Sequence, residues 1–522
     1  MKEHISTETL NLESPSDYSD RLAIQYAKFV SLKHKKENGQ FFTPSSVANL
    51  MASYCDYDEK TVTVLDPGFG LGILTCALIE NLIAKCNQIR NISVTAYETD
   101  SNLIFYSELV LNYLKIWLNK KNISFEYKLC NNDFILHNLT IIKNNDYEKF
   151  DVIISNPPYF KLGKMDERAL ASKGFISGES NIYSLFMSLS VKLLKNNGKF
   201  ISITPRSFAS GKYFRGFRDS FFNSVQIDNI HLFKSRRDTF NRDKVLQETV
   251  IIKATKTNIL LDKRISLTSS KGIKDITENK IKNYFTKDLI NLESAEKILY
   301  LPSNNCEISV LQLVNSWTNR LSNHDIQIST GPVVYFRNLD HIRYESKKQT
   351  DDIAPLFWLQ NVEKMSLNWP KILKEKGQYI IVNKGSQASL LQNKNYILLR
   401  RFSTKDDKSR LIAAPYFSNF IETQYIGVEN RVNYIYRKDG HLEENEVSGL
   451  CGLLNSELFD TYFQIFNGNV NVSATELREM KFPSLFQIKE IGNKIIESND
   501  YSIYNINTIV NEFFKLENIF QN

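Results

Sequence analysis

Thr61-Val62-Thr63-Val64-Leu65-Asp66-Pro67-Gly68-Phe69-Gly70-Leu71-Gly72 is the stretch that decides the fold. Five β-prone residues run into a turn holding one proline and three glycines, and residues 73–84 continue apolar at helical spacing. These signals predict a strand, a tight turn and a helix. Glycine leaves such a turn open to close approach by a ligand, and the first N–H groups of the following helix point at it. The pattern is Asp-Pro-x-x-Gly-x-Gly, which differs from the Gly-x-Gly-x-x-Gly dinucleotide fingerprint.

The alternation extends downstream. Residues 92–97 predict a second strand ending at Glu98, 101–118 a helix, and 125–129 a third strand leading to Asp133 and Phe134. A fourth strand over 151–154, a helix over 182–195, a fifth strand over 199–203 and further strands over 225–232 and 248–253 continue the series. Regular strand and helix alternation with short turns predicts an α/β fold with a doubly wound, mostly parallel, Rossmann-like sheet. Ligands of such sheets sit outside the carboxyl ends of the strands, and Asp66, Glu98 and Asp133 all fall there. Upstream, residues 20–37 predict a helix, followed by the loop Gly39-Gln40-Phe41-Phe42-Thr43-Pro44 with Thr43 as N-cap and Pro44 at the first helical position. After residue 290 the alternation stops, so the expected division is an N-terminal arm or helix over 1–38, a sheet domain over 39–290, and a mixed α+β domain over 291–522 that turns helical from Glu443.

The fourth strand runs into Ser155-Asn156-Pro157-Pro158-Tyr159-Phe160. Two prolines fix φ near about −65° and remove two backbone donors, so the main chain there offers only carbonyl acceptors. Asn156 Oδ1 and the Pro157 carbonyl can together accept both N–H groups of an exocyclic amine, which draws the nitrogen lone pair out of conjugation. Tyr159 can stack on the ring carrying that amine, at about 1–3 kcal/mol per base. The bland alternative is a Pro-Pro turn ending a strand, with Asn156 as a local cap. Glu98 is placed to accept from a ribose hydroxyl pair, Asp133 from an adenine amine, and Phe134 to stack beside it.

Composition bounds the rest. A chain of 522 residues with 42% hydrophobic and 12% aromatic content suits two or three soluble domains. No run approaches the roughly 18 apolar residues of a membrane helix, and the polar Met1-Lys2-Glu3-His4 start predicts no secretory signal, so no membrane partner and a cytoplasmic location are expected. The six cysteines, at 55, 76, 86, 130, 306 and 451, form no Cys-x-x-Cys pair, and no metal site is expected. Net charge is +7, and residues 256–522 hold 33 Lys and Arg against 31 Asp and Glu, so basicity is not concentrated there. Residues 206–244 carry nine Lys and Arg, including Arg206, Arg215, Arg236 and Arg237, against four Asp, beside Phe208, Tyr213, Phe214 and Phe217. Such a cluster suits phosphate contact or a solvated helix face.

The series of Gly39 to Pro44, Asp66 to Gly72, Glu98, Asp133-Phe134 and Asn156-Pro157-Pro158-Tyr159 resembles the S-adenosylmethionine-dependent N6-adenine DNA methyltransferases of the gamma arrangement. Leu399-Arg400-Arg401-Phe402-Ser403, Lys408-Ser409-Arg410-Leu411, Glu429 to Tyr434, Leu454-Asn455-Ser456 and Asn467 to Arg478 look similar to the type II restriction-modification methyltransferases of the group that includes the PstI and BsuBI enzymes. The resemblance implies a cofactor site formed by Thr43, Pro44, Asp66, Gly68, Gly70, Glu98, Asp133, Phe134 and Asn156. It implies target-base contacts from Asn156, Pro157, Pro158 and Tyr159, and a second aromatic wall for a flipped base, with Phe240 the expected residue and Phe233 the competing one. One departure is that Phe69 and Leu71 stand in the glycine turn where small residues are commoner. The implied activity is methyl transfer to adenine N6 in double-stranded DNA by a monomer working beside a separate restriction endonuclease. Arg337, Arg400, Arg401, Arg410 and Arg431 are further expected DNA contacts.

Three alternatives stay open at this level. An amide nitrogen can use the same tetrapeptide, as in a protein glutamine N5-methyltransferase, although the large C-terminal region argues against it. RNA adenine methylation is closer still. A combined restriction and modification enzyme is the third; 38 residues ahead of Gly39 are too few for a nuclease domain.

Overall fold

The glycine-turn strand is an interior strand, third from one edge, of a nine-stranded sheet. The computed structural model describes all residues except 1–4, 145, 146, 148, 176–180, 236–247, 278, 279, 345–352, 404–408, 468–470, 521 and 522. The first unit covers Met1–Leu301. It contains α1 (Pro15–Phe29), α2 (Leu32–Asn38), α3 (Ser45–Ser53), β1 (Thr61–Asp66), α4 (Ile73–Lys85), β2 (Asn91–Tyr97), α5 (Ser101–Asn119), β3 (Ser124–Cys130), α6 (Phe134–Lys143), β4 (Phe150–Ser155), α7 (Glu167–Ala171), α8 (Ile182–Leu193), β5 (Leu194–Pro205), α9 (Arg215–Phe222), β6 (Gln226–Phe233), β7 (Thr249–Thr255), β8 (Arg264–Ser270) and β9 (Lys282–Phe285). Their order is β3-β2-β1-β4-β5-β7-β6-β8-β9. Strands β1 to β5 pair in parallel, and β7 runs antiparallel between β5 and β6. The fold is the α/β, mostly parallel sheet expected of the sequence.

Burial on both faces explains why the central strands read as continuous apolar runs. Successive side chains of one strand point to opposite faces. Val152 and Ile154 therefore join a core with α1, α3, α4 and α5, while Ile153 joins the opposite core with α6, α8 and α9. Strand order reverses between β1 and β4, which are neighbours. At such a switch point the loops leaving the two strands diverge and open a crevice. The glycine turn and the Asn-Pro-Pro-Tyr segment leave from its two sides.

Several local readings differ. The helix expected over 20–37 is two helices, α1 and α2. Helix α3 begins at Ser45 with Pro44 in the capping position and no side-chain cap, so Thr43 is not the cap. Strand β5 starts at Leu194, five residues before its expected beginning, and α6 was not foreseen as an element of its own.

The second unit covers Pro302–Asn522. It holds an antiparallel four-stranded sheet ordered Ile326–Thr330, Val432–Arg437, Tyr396–Arg400, Ala413–Tyr416. A five-stranded sheet is centred on Ile353–Phe357, and helices from Glu444 to Phe514 follow. Among the described residues no helix is long and apolar enough to cross a membrane.

Candidate active site

The crevice at the switch point is lined by Gly68 and Gly70 of the glycine turn, Glu98 after β2, Asp133 and Phe134 after β3, and Asn156 and Pro158 after β4. Asn38 to Phe42 line it from the N-terminal side. Gly39 adopts φ +60°, and a Cβ there would lie 2.6 Å from Pro158 Cβ, so the loop can lie against the proline only as glycine. Phe69 and Leu71, the departures in the turn, are buried in the core and leave the crevice to the glycines.

Asn156 is the best-determined group. Its Nδ2 donates to the Phe41 carbonyl at 3.1 Å and to Thr43 Oγ1 at 3.0 Å. A carbonyl can only accept, so the amide cannot be turned over, and Oδ1 is fixed as its acceptor atom. The Tyr159 hydroxyl lies 2.6 Å from that oxygen and 3.0 Å from the Ile203 carbonyl. It has one proton to share between these two acceptors. Burial pushes the Tyr159 phenol well above its usual range, so the hydroxyl stays a donor. The ring stacks on Phe41 at 6.4 Å between centroids.

The carboxylates divide into two kinds. Asp66 is fully buried, accepts from Thr75 Oγ1 at 2.8 Å and from Gly68 N at 3.3 Å, and does not reach the crevice. It holds the glycine turn in shape. Thr43, 4% exposed, and buried Pro44 likewise stand behind the wall; Thr43 acts through Asn156. Glu98 lines the crevice while accepting from Gly70 N at 3.0 Å and Asp100 N at 2.8 Å. Burial pushes the Asp66 and Glu98 carboxyls up to about 7 against the pull of their hydrogen bonds; the Glu98 charge adds to the shift of Asp66, and the Asp100 charge to that of Glu98. Asp133 caps α6 by accepting from Leu136 N, and Arg168 lies 3.7 Å from it. Gln40 Oε1 is buried on the wall with no hydrogen-bond partner among the described residues.

Sequence reasoning missed Gln40, Asp100 and Arg168. Asp100 carried a signal, since Asp before a helical run is a preferred N-cap. Arg168 carried none. The expected stacking residue Phe240 lies outside the described residues, as do Arg236 and Arg237. Its competitor Phe233 is fully buried in the core and has no access to a base.

The expected basic surface is redrawn. Arg206 is 6% exposed and pairs with Glu248 at 2.9 Å, so its charge is spent inside the fold. Phe208, Phe214 and Phe217 are core residues, leaving Tyr213 as the exposed aromatic of that segment. In the second unit Arg400 donates to the Val362 carbonyl, Arg401 to the Asn430 carbonyl, and Arg410 to Ser403 and Asn467. These three tie down loops. Arg215, Arg337 and Arg431 present exposed side chains. Among the described residues no cluster of His, Cys, Asp or Glu converges as a metal site.

Comparisons with known proteins identify the family. A family model described as Eco57I restriction-modification methylase matches residues 21–240. Type II methyltransferase M.PstI of Providencia stuartii is 32% identical over 480 residues, covering 92% of this chain and 93% of that protein. This chain belongs to the type II restriction-modification methyltransferases. Type II methyltransferase M.BsuBI of Bacillus subtilis is 34% identical over 477 residues, covering 90% and 92%. The cryo-EM structure of a DrdV–DNA complex matches the fold with a TM-score of 0.50 at 13% identity, over 94% of this methyltransferase and 60% of that chain. Membership of the family extends over both units, because the PstI and BsuBI relatives align through nearly the whole chain.

Proposed function

We propose that this methyltransferase transfers a methyl group from S-adenosylmethionine to N6 of an adenine flipped out of double-stranded DNA. In this reading the first unit is catalytic, the second recognises the DNA target, and the monomer marks sites that a separate restriction endonuclease would cut. The observation that carries it is the locked Asn156 amide on the crevice wall, whose oxygen is fixed as an acceptor. S-adenosylmethionine, when bound, supplies the activated methyl group. The crevice suits it: Glu98, Asp133 and the unpartnered Gln40 Oε1 are acceptors for hydroxyl and amine donors, and Phe134 offers a flat apolar face.

Within a duplex, adenine N6 is out of reach, so the base must leave the stack at a cost of a few kcal/mol. Asn156 Oδ1 and the Pro157 carbonyl then take its two N–H groups, and Tyr159 stacks on the ring. The incoming amine displaces the Tyr159 hydroxyl from Asn156, and the Ile203 carbonyl is already in place to receive that hydroxyl. Orientation of donor and acceptor is the main task, since the electrophile needs no covalent activation by the protein.

Plasmid DNA incubated with labelled S-adenosylmethionine is expected to acquire N6-methyladenine at one short recurring sequence, read by modification-sensitive sequencing. Label in RNA or protein with none in DNA would overturn the reading.

Phosphate contacts are tested by salt dependence, because each neutralised phosphate contributes to the slope of log affinity against log salt. Arg431→Ala and Arg337→Ala are each expected to reduce that slope by about 1. Arg206→Ala is expected to lower the melting temperature and leave the slope unchanged. A slope change in the Arg206 variant with an unchanged melting temperature would return that residue to the DNA surface.

A further inference from the structure

The crevice has a roof and a floor made from distant parts of the chain. The roof is residues 38–42, which line the crevice from the N-terminal side; Glu98 stands in the floor. One residue touches both. Asp100 Oδ2 lies 2.7 Å from His34 Nε2, accepts from Gln40 Nε2 at 2.5 Å, and lies 3.4 Å from the Tyr26 hydroxyl. Its Oδ1 accepts from Asn102 N at 3.0 Å and caps α5. Its main-chain N–H donates to Glu98 Oε1 at 2.8 Å.

A helix cap needs one oxygen. The second oxygen of Asp100 gathers three donors from the N-terminal segment, and the side chain is only 5% exposed. Burial raises the carboxyl, but the hydrogen bonds from His34, Gln40 and Asn102 and the charge of His34 more than offset it, and the group is held below the usual carboxylate range. An anion kept charged in a buried place is placed there by its partners.

We propose that Asp100 is a positioning residue that clasps the roof of the cofactor crevice to its floor, holding His34 and Gln40 with its carboxylate and Glu98 with its main-chain N–H. The inference rests on the reading of this crevice as the S-adenosylmethionine site. Cofactor binding then depends on a residue that does not line the crevice, while Asn156, which holds the target amine, keeps a second anchor at Thr43, outside the clasped segment.

Asp100→Asn separates the two jobs. Asparagine caps a helix as well as aspartate, but its NH2 group faces the donors of His34 and Gln40. Binding of S-adenosylhomocysteine, measured by calorimetry on the full chain, is expected to weaken tenfold or more. KM for S-adenosylmethionine is expected to rise in step, with kcat at saturating cofactor within about twofold of wild type. His34→Ala, which leaves the cap untouched, is expected to weaken binding in the same direction. The double variant is expected to lose less than the product of the two effects, because both remove one contact. Unchanged affinity in Asp100→Asn, or losses that multiply fully, would overturn the clasp. Failure of the wild-type protein to bind S-adenosylhomocysteine would instead overturn the assignment of the crevice.

Discussion

Asn156→Ala is expected to lower the methylation rate by about 10²–10³-fold, the scale seen when one preorganised polar group facing the reacting centre is removed. Cofactor and DNA affinities should stay within a few-fold of wild type, since Glu98, Asp133, Phe134 and the exposed arginines are left in place. The measurement is single-turnover transfer at saturating DNA and cofactor. Near-wild-type turnover would sink the role given to Oδ1. Tyr159→Phe separates the ring from the hydroxyl: it keeps stacking and removes the group that occupies Oδ1 in the substrate-free protein. It should therefore retain activity, whereas Tyr159→Ala should lose the stacking contribution of about 1–3 kcal/mol.

Glu98→Gln is expected to reverse part of the pH dependence of stability in the cofactor-free protein. Burial holds the Glu98 carboxyl at about 7 against an ordinary value of 4.5. A group raised in the folded state binds more protons there than in the unfolded chain, so its contribution is full below about pH 4.5 and is lost as pH rises through 7. A shift of that size corresponds to about 3 kcal/mol. Denaturant titrations at pH 5 and pH 8 should show a smaller fall in the variant, by up to about 3 kcal/mol. Asp66, raised to about 7 by the same burial, continues to titrate in both proteins. The same substitution should weaken S-adenosylhomocysteine binding at least tenfold, because one of the two acceptor oxygens becomes an NH2 group that faces N–H and hydroxyl donors. An unchanged pH slope would mean that Glu98 is solvated in solution.

What was legible in the sequence was what local pattern controls. The strand of residues 61–66, the glycine turn and the strand-end positions of Glu98, Asp133 and Asn156 follow from period, punctuation and order. What was not legible depends on partners far along the chain. Thr43 looks like a helix cap from its neighbours, yet its hydroxyl belongs to Asn156, 113 residues away. Arg206 looks like a phosphate ligand beside aromatic residues, yet Glu248, 42 residues on, takes its charge. Amphipathic spacing marks Phe217 as apolar without saying which side of α9 meets the core. Phe69 and Leu71 stand in the glycine turn where small residues are commoner, and only the fold shows them buried in the core.

The division among the arginines of the second unit bears on how such an enzyme changes its target. Arg400, Arg401 and Arg410 are committed to carbonyls and side chains of neighbouring loops, so their replacement would disturb the frame before it altered recognition. Phe336 and Arg337 are exposed and lie against each other, and Arg431 is exposed with a looser tie, 3.6 Å to Glu429. In the proposed recognition role, exposed positions of this kind could diverge on a surface that the fold does not police, so that new recognition sequences become accessible by drift without a passage through unfolded intermediates.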